Sequence, residues 1–318
     1  MAEIGKDIIK AKALLEQGEL VAIPTETVYG LAGNALDSNA VLKIFKVKDR
    51  PQFDPLIVHV ANLQHAKELV EFIPEKAEKL ATKFWPGPLT FLLKKKSIIP
   101  DLVTSGMDTV GIRNPDHPLT QSLLQALSFP LAAPSANPFG YVSPTRPEHV
   151  NEQLGHKIKY ILDGGECRVG IESTIVGFEN DIPTVFRLGG LTLEEIEEVI
   201  GNVAVQLNSS SNPKAPGQLK SHYAPRKKVA WGVLSELITQ YPNSKVGILA
   251  FRKKAAGIDQ ANQIALSNTG NLEEAAQHLF ASLRELDKKD VDIILAEALP
   301  DIGLGKAIND RLRRAAAE

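Results

Sequence analysis

The chain has 318 residues, 43% of them hydrophobic and 23% charged, with a formal net charge of −2. It is long enough for two domains and apolar enough for a core, which excludes a disordered chain; a general nucleic-acid binder would show a basic excess. The apolar runs are too short for a membrane helix, and a lone Cys167 excludes an internal disulfide or a cysteine-built metal site.

The first helix is predicted from Ile4, Ile8, Leu14 and Leu15, ending at Gly18, and is followed by a short buried strand at Leu20 to Ile23. The opening decapeptide lacks the basic-then-apolar order of a secretion signal, so a cytoplasmic location is expected. Residues 24 to 31, PTETVYGL, then compress a strand end, a turn and a helix start, and present the hydroxyls of Thr25, Thr27 and Tyr29 beside Glu26. Ser38 is expected to cap a helix through Phe45. Strands are predicted at Leu56 to Val60, Leu89 to Leu93, Thr109 to Ile112, Leu131 to Ala133, Lys159 to Leu162, Thr174 to Phe178 and Thr184 to Phe186. Their irregular alternation with helices predicts a twisted, mixed α/β sheet over residues 1–205 rather than a regular doubly wound one.

From Leu207 to Gly217 the chain is almost devoid of apolar residues and carries two prolines, so 206–228 reads as a linker. Beyond it, strands at Val229 to Val233, Val246 to Phe251, Gln263 to Leu266 and Asp292 to Ala296, with a helix started by Asn271, predict a smaller Rossmann-like α/β domain over 229–318. No dinucleotide glycine fingerprint accompanies it.

Polar residues gather at the ends of the predicted strands. Lys48, Arg50 and Asp54 precede one, with His59 inside it, and Thr109 and Arg113 bracket the next. Ser135, Asn137, Ser143 and Thr145 follow another, then Glu172, Ser173 and Thr174, and Arg187 closes the series. Each is weak alone, whereas together they make a lining rich in hydroxyls and cations. Such a lining suits a ligand with both a carboxylate and phosphates, because arginine forks hold planar anions and lysine neutralises phosphate as a point charge. There is no P-loop, no paired-histidine metal signature and no convincing Ser-His-Asp order. Lys94 to Lys96 read instead as a solvated strand end.

In order along the chain, PTETVYGL, KVKDRPQFDPLIVHV, WPGPLT, VGIRNPDHP, APSANPFGYVSPT, VGIESTIV and FRLGGLT resemble the YrdC-like domain of L-threonylcarbamoyladenylate synthases, over about residues 8 to 200. APGQLKSHYAP and GLGKAINDRLRRAA resemble the longer, two-domain form. The resemblance implies an enzyme that condenses L-threonine, bicarbonate and ATP, with Mg2+ carried mainly by the phosphates, to threonylcarbamoyl-AMP and pyrophosphate for tRNA modification. It implies a threonine site of Thr27, His59, Arg113, Ser173 and the Ala133 backbone. It implies an ATP site of Arg50, Asp54, Thr109, Ser135, Ser143, Arg187 and Tyr223, with Lys48 and Arg50 as the catalytic cations and the linker as a lid.

Three residues depart from the family pattern: Asp54 stands in place of asparagine, Phe139 of a small polar residue and Leu188 of proline. Two rivals are an RNA-binding module without catalysis and a carbamoyltransferase. The net charge does not favour direct tRNA contact, and the accessory segments typical of the carbamoyltransferases are missing from the sequence.

Overall fold

A computed structural model describes residues 1–179, 182–207 and 222–317. Its first sheet has 11 strands: β1 (Glu3–Gly5), β2 (Val21–Ile23), β3 (Gly30–Asn34), β4 (Ile57–His59), β5 (Leu89–Lys94), β6 (Thr109–Arg113), β7 (Leu131–Ala132), β8 (Tyr160–Leu162), β9 (Thr174–Glu179), β10 (Ile182–Arg187) and β11 (Ala204–Val205). Their order is β1-β8-β2-β3-β7-β4-β6-β5-β9-β10-β11, with parallel and antiparallel neighbours interleaved, which is the mixed α/β sheet expected. A second, all-parallel sheet runs in the order β12 (Lys228–Gly232), β15 (Ile293–Glu297), β13 (Val246–Ala250), β14 (Gln263–Ala265). No helix among the described residues is long and apolar enough to cross a membrane.

Some boundaries differ from the sequence reading. Ile4 lies in β1, not in the first helix, which starts at Ile8 behind the Asp7 cap. The strand is short and made only by pairing with the distant β8, so no local period announces it. Asp37, not Ser38, caps the Ser38–Lys48 helix. The stretch after Tyr29 is a strand, not a helix start: β3 runs antiparallel to β2, so residues 24–29 form the tip of a hairpin. The sequence GLAGN of β3 has little strand propensity; small side chains serve there because neighbours come close. A Cβ on Gly30 would stand 3.2 Å from that of Ala133, and the 133–136 segment lies on the hairpin through Leu31 N to Pro134 O and Ala136 N to Tyr29 O, each 2.7 Å.

The two sheets share a packed boundary. Gly170, at φ +78°, lets its loop approach the Leu272–Asp287 helix, where a Cβ would meet Gln277 Cα at 2.4 Å. The buried Arg284 donates to the carbonyls of Val142 and Ser143, and Tyr141 donates to Asp287 at 2.6 Å. Most of the proposed linker, 208–221, lies outside the described residues. The chain re-enters at His222, whose neighbour Tyr223 is buried at φ 63° and stacks on Phe280, and Ala224 N donates to Gly140 O at 2.8 Å.

Candidate functional site

The cavity opens on the face of the first sheet that carries Ile57 and His59, two residues apart on β4 and therefore on one side of it. Across from Ile57 on β6 stands Gly111, and across from His59 stands Arg113, so the sheet is hollow at one position and cationic at the next. Loops close the rim: Val28 from the hairpin tip, Arg50 and Pro55 before β4, Ala133 to Ser135 after β7, Glu172 before β9, Arg187 from β10, and His222 with Tyr223.

One end is built around Arg113. Its Nη2 lies 2.8 Å from Glu26 Oε1, both side chains being buried, yet the angle makes no hydrogen bond. Nε and Nη2, the two donors on one side of the guanidinium, are thus without an acceptor among the described residues. A planar carboxylate would satisfy both. Glu26 is itself steadied by Asp116 N at 3.0 Å. His59 sits beside Arg113 with its Nδ1 buried and unpartnered, and burial, reinforced by the Arg113 charge, lowers its pKa to about 3. The imidazole is therefore neutral at physiological pH.

The other end is a ring of held cations. Arg50 donates through Nε to Asp54 O at 3.1 Å and through Nη2 to Pro55 O at 2.8 Å, and pairs with Asp54 Oδ2 at 2.9 Å. Arg187 donates to Ser173 O at 3.0 Å and Ser173 Oγ at 3.1 Å. His222 is buried among these charges; burial first, then Arg50 and Lys48, hold it well below the ordinary histidine pKa. The whole end is tied down by hydrogen bonds and positively biased.

Of the residues expected from the sequence, Arg50, His59, Arg113, Ala133, Ser135, Arg187 and Tyr223 line this cavity together. The others stand behind it. Lys48 is buried, and its Nζ donates to Ser135 O and Asn137 O at 2.5 Å each, so the ammonium is committed to holding the turn that carries Ser135. Asp54 is fully buried behind Arg50; this places the departure from asparagine in an ion pair rather than on the cavity wall. Ser143 donates to Glu172 at 2.6 Å, Ser173 bonds Thr90 at 2.7 Å, and Thr27 bonds Thr25 at 2.9 Å. Thr109 pairs with Lys94 at the far end of β6 from Arg113, away from the cavity.

Glu26, Glu172 and His222 were visible in the motifs but carried no assigned role. Ion pairing to Arg113 and to the second domain is what gives the two glutamates theirs, and neither pairing has a sequence spacing. Phe139 also gains a reason: Arg50 lies 5.9 Å from its ring centre and His222 meets it edge-on at 6.0 Å. Leu188 is buried in the main core.

Acid stability follows from the histidines. His59 and His149 have folded pKa values lowered to about 3, each chiefly by burial. A depressed folded value means the unfolded chain takes up protons first, so this stability is present above pH about 6.5 and lost as pH falls toward about 3. Melting temperature should fall through that window, and His59→Gln should flatten part of the slope. Equal slopes for the two proteins would refute the neutral, buried imidazole.

With this geometry in view, two family models match the chain: Sua5/YciO/YrdC, described as telomere recombination, over residues 13–189, and the threonylcarbamoyl-AMP synthase C-terminal domain over 191–317. The threonylcarbamoyl-AMP synthase of Pyrococcus abyssi is 43% identical over 96% of this chain and 92% of its own. That of Bacillus subtilis is 43% identical over 97% and 92%. The crystal structure of P. abyssi Sua5 complexed with L-threonine superposes with a TM-score of 0.92 at 41% identity, covering 99% of this chain and 97% of that one.

Proposed function

Because the chain belongs to the threonylcarbamoyl-AMP synthase family in its two-domain form, we propose that its cavity joins threonine, bicarbonate and ATP along the face of β4. The chain is an enzyme of the adenylyl-transferring class. The observation that carries the assignment of ends is Arg113: its Nε and Nη2 make no hydrogen bond among the described residues, although Nη2 is ion-paired with Glu26 at 2.8 Å, so that edge of the guanidinium is a fork for the threonine carboxylate. Neutral His59 then borders the amino group, with the Ala133 backbone tied to Ile57 two residues along β4, and Thr27 and Ser173 support the walls from behind. The relative bound to L-threonine supports threonine as a substrate.

ATP occupies the end formed by Arg50, Ser135, Arg187 and Tyr223. Once the threonine amine has added to carbon dioxide with loss of a proton, or to bicarbonate with loss of water, the carbamate carries an oxygen nucleophile of its own. The protein need only align that oxygen with the α-phosphate and stabilise the departing pyrophosphate. Arg50 faces that charge directly, whereas Lys48 adds its field and fixes the Ser135 turn. On this reading magnesium would be carried mainly by the ATP phosphates; Asp54, Glu26 and Glu172 each face a guanidinium. The product is a mixed anhydride whose consumer is a transferase acting on tRNA, and synthesis in the cytoplasm would suit it.

Ligand-dependent stabilisation tests the two ends separately. At a free concentration of 100 times Kd, either L-threonine or MgATP should stabilise the fold by about 2.7 kcal/mol. Additive stabilisation by both is expected. Mutual exclusion would place them in one subsite and overturn the division of the cavity.

A further inference from the structure

Arg311 is a residue of the second domain, on the Leu304–Ala315 helix, and its side chain is fully buried. It does not line the cavity, yet it touches two residues that do. Its Nε donates to Glu172 Oε2 at 3.1 Å, and its guanidinium lies 5.3 Å from the ring centre of Tyr223. Nη1 pairs with Asp310 at 3.2 Å, while Nη2 is buried with no acceptor among the described residues. The other Glu172 oxygen accepts from Ser143 Oγ at 2.6 Å. A chain of contacts therefore runs from the second domain through Arg311 and Glu172 to Ser143, and through Arg311 to Tyr223.

We propose that Arg311 is a positioning residue for adenylate formation, through which the second domain sets the nucleotide end of the cavity. The inference rests on the assignment of that end to ATP. Glu172 is an almost buried carboxylate on the cavity wall, 6% exposed; left uncompensated it would repel the phosphates of an arriving nucleotide at close range and in a medium that screens poorly. Arg311 cancels that charge from behind and turns the carboxylate toward Ser143. The same guanidinium covers one ring of the 222–223 pair, helping to fix Tyr223 in its left-handed backbone conformation. Glu172 alone could not serve the site, because its charge has the wrong sign. Arg311 makes it one half of a charge-compensated pair with a fixed orientation.

Steady-state kinetics and calorimetric ATP binding of the full chain test this. Arg311→Gln should raise the KM for ATP by about tenfold or more, as expected for uncovering a buried charge, with the KM for threonine within about twofold of wild type. Adding Glu172→Gln to that variant should bring the ATP KM back by several-fold, because the unpaired charge is then gone. A purely structural Arg311 would lower the melting temperature, leave both KM values unchanged and show no such recovery, and that result overturns the proposal. If Arg311→Gln fails to fold, Arg311→Lys, which keeps the charge but not the fork, should show the same ATP-selective loss to a smaller degree; unaltered ATP KM in Arg311→Lys together with no Glu172 coupling also overturns it. Wild-type protein that does not bind ATP would instead overturn the nucleotide assignment, so the two failures are distinguishable.

Discussion

Arg113→Ala is expected to destroy the use of threonine while leaving ATP affinity near wild type. Removing one partner of a charge-assisted pair in a desolvated site costs about 2 to 5 kcal/mol, which is a loss of roughly thirtyfold to several thousandfold in threonine kcat/KM. Part of that figure belongs to Glu26, which is buried and would lose its cation. Arg113→Ala with Glu26→Gln separates the parts: stability should recover, and threonine use should not. Arg113→Lys should rescue poorly, since an ammonium cannot offer the parallel Nε and Nη2 donors. An ATP affinity that collapses while threonine affinity holds would invert the two ends of the cavity.

Arg50→Ala has the second largest expected effect, a fall in kcat of about a hundredfold to a thousandfold, the usual consequence of deleting one preorganised donor to developing charge. Its KM values should move far less, because the charge on pyrophosphate grows only as the bond to the α-phosphate breaks. Lys48→Ala should also slow the reaction, for a different physical reason: Ser135 and Asn137 lose the ammonium that ties their carbonyls together, so the melting temperature falls with kcat. If both variants turned over normally and only melted early, the basic cluster would be an ion-pair network of the fold, and the reading of Arg50 as the cation for the leaving group would fail.

What was legible in the sequence follows from how locally each feature is encoded. The long buried strands such as Leu89–Lys94 and the capped Leu272–Asp287 helix announce themselves by run and period, and they appear where expected. β1, β3 and β11 do not, because Glu3–Gly5, Gly30–Asn34 and Ala204–Val205 become strands only through partners far along the chain or, for β3, through small residues that suit close approach. The cations and hydroxyls of the site were nameable as types from motifs. Their layering was not. Lys48 and Asp54 sit one layer behind the wall that Arg50 forms, and Arg311 reaches the site from a helix near the end of the chain, since burial and long-range pairing leave no spacing to read. The hairpin that turns PTETVYGL into a rim, rather than the start of a helix, is the clearest case in which tertiary pairing overrode a local turn signal.

The most direct measurement is product analysis by mass spectrometry after incubating the purified full chain with ATP, magnesium, L-threonine and isotope-labelled bicarbonate. Threonylcarbamoyl-AMP carrying the labelled carbon should form together with pyrophosphate in equal amount, and omission of threonine, ATP or bicarbonate should abolish it. Release of ADP and phosphate in place of pyrophosphate, or an adenylate lacking the labelled carbon, would contradict attack of a threonine carbamate on the α-phosphate in this cavity.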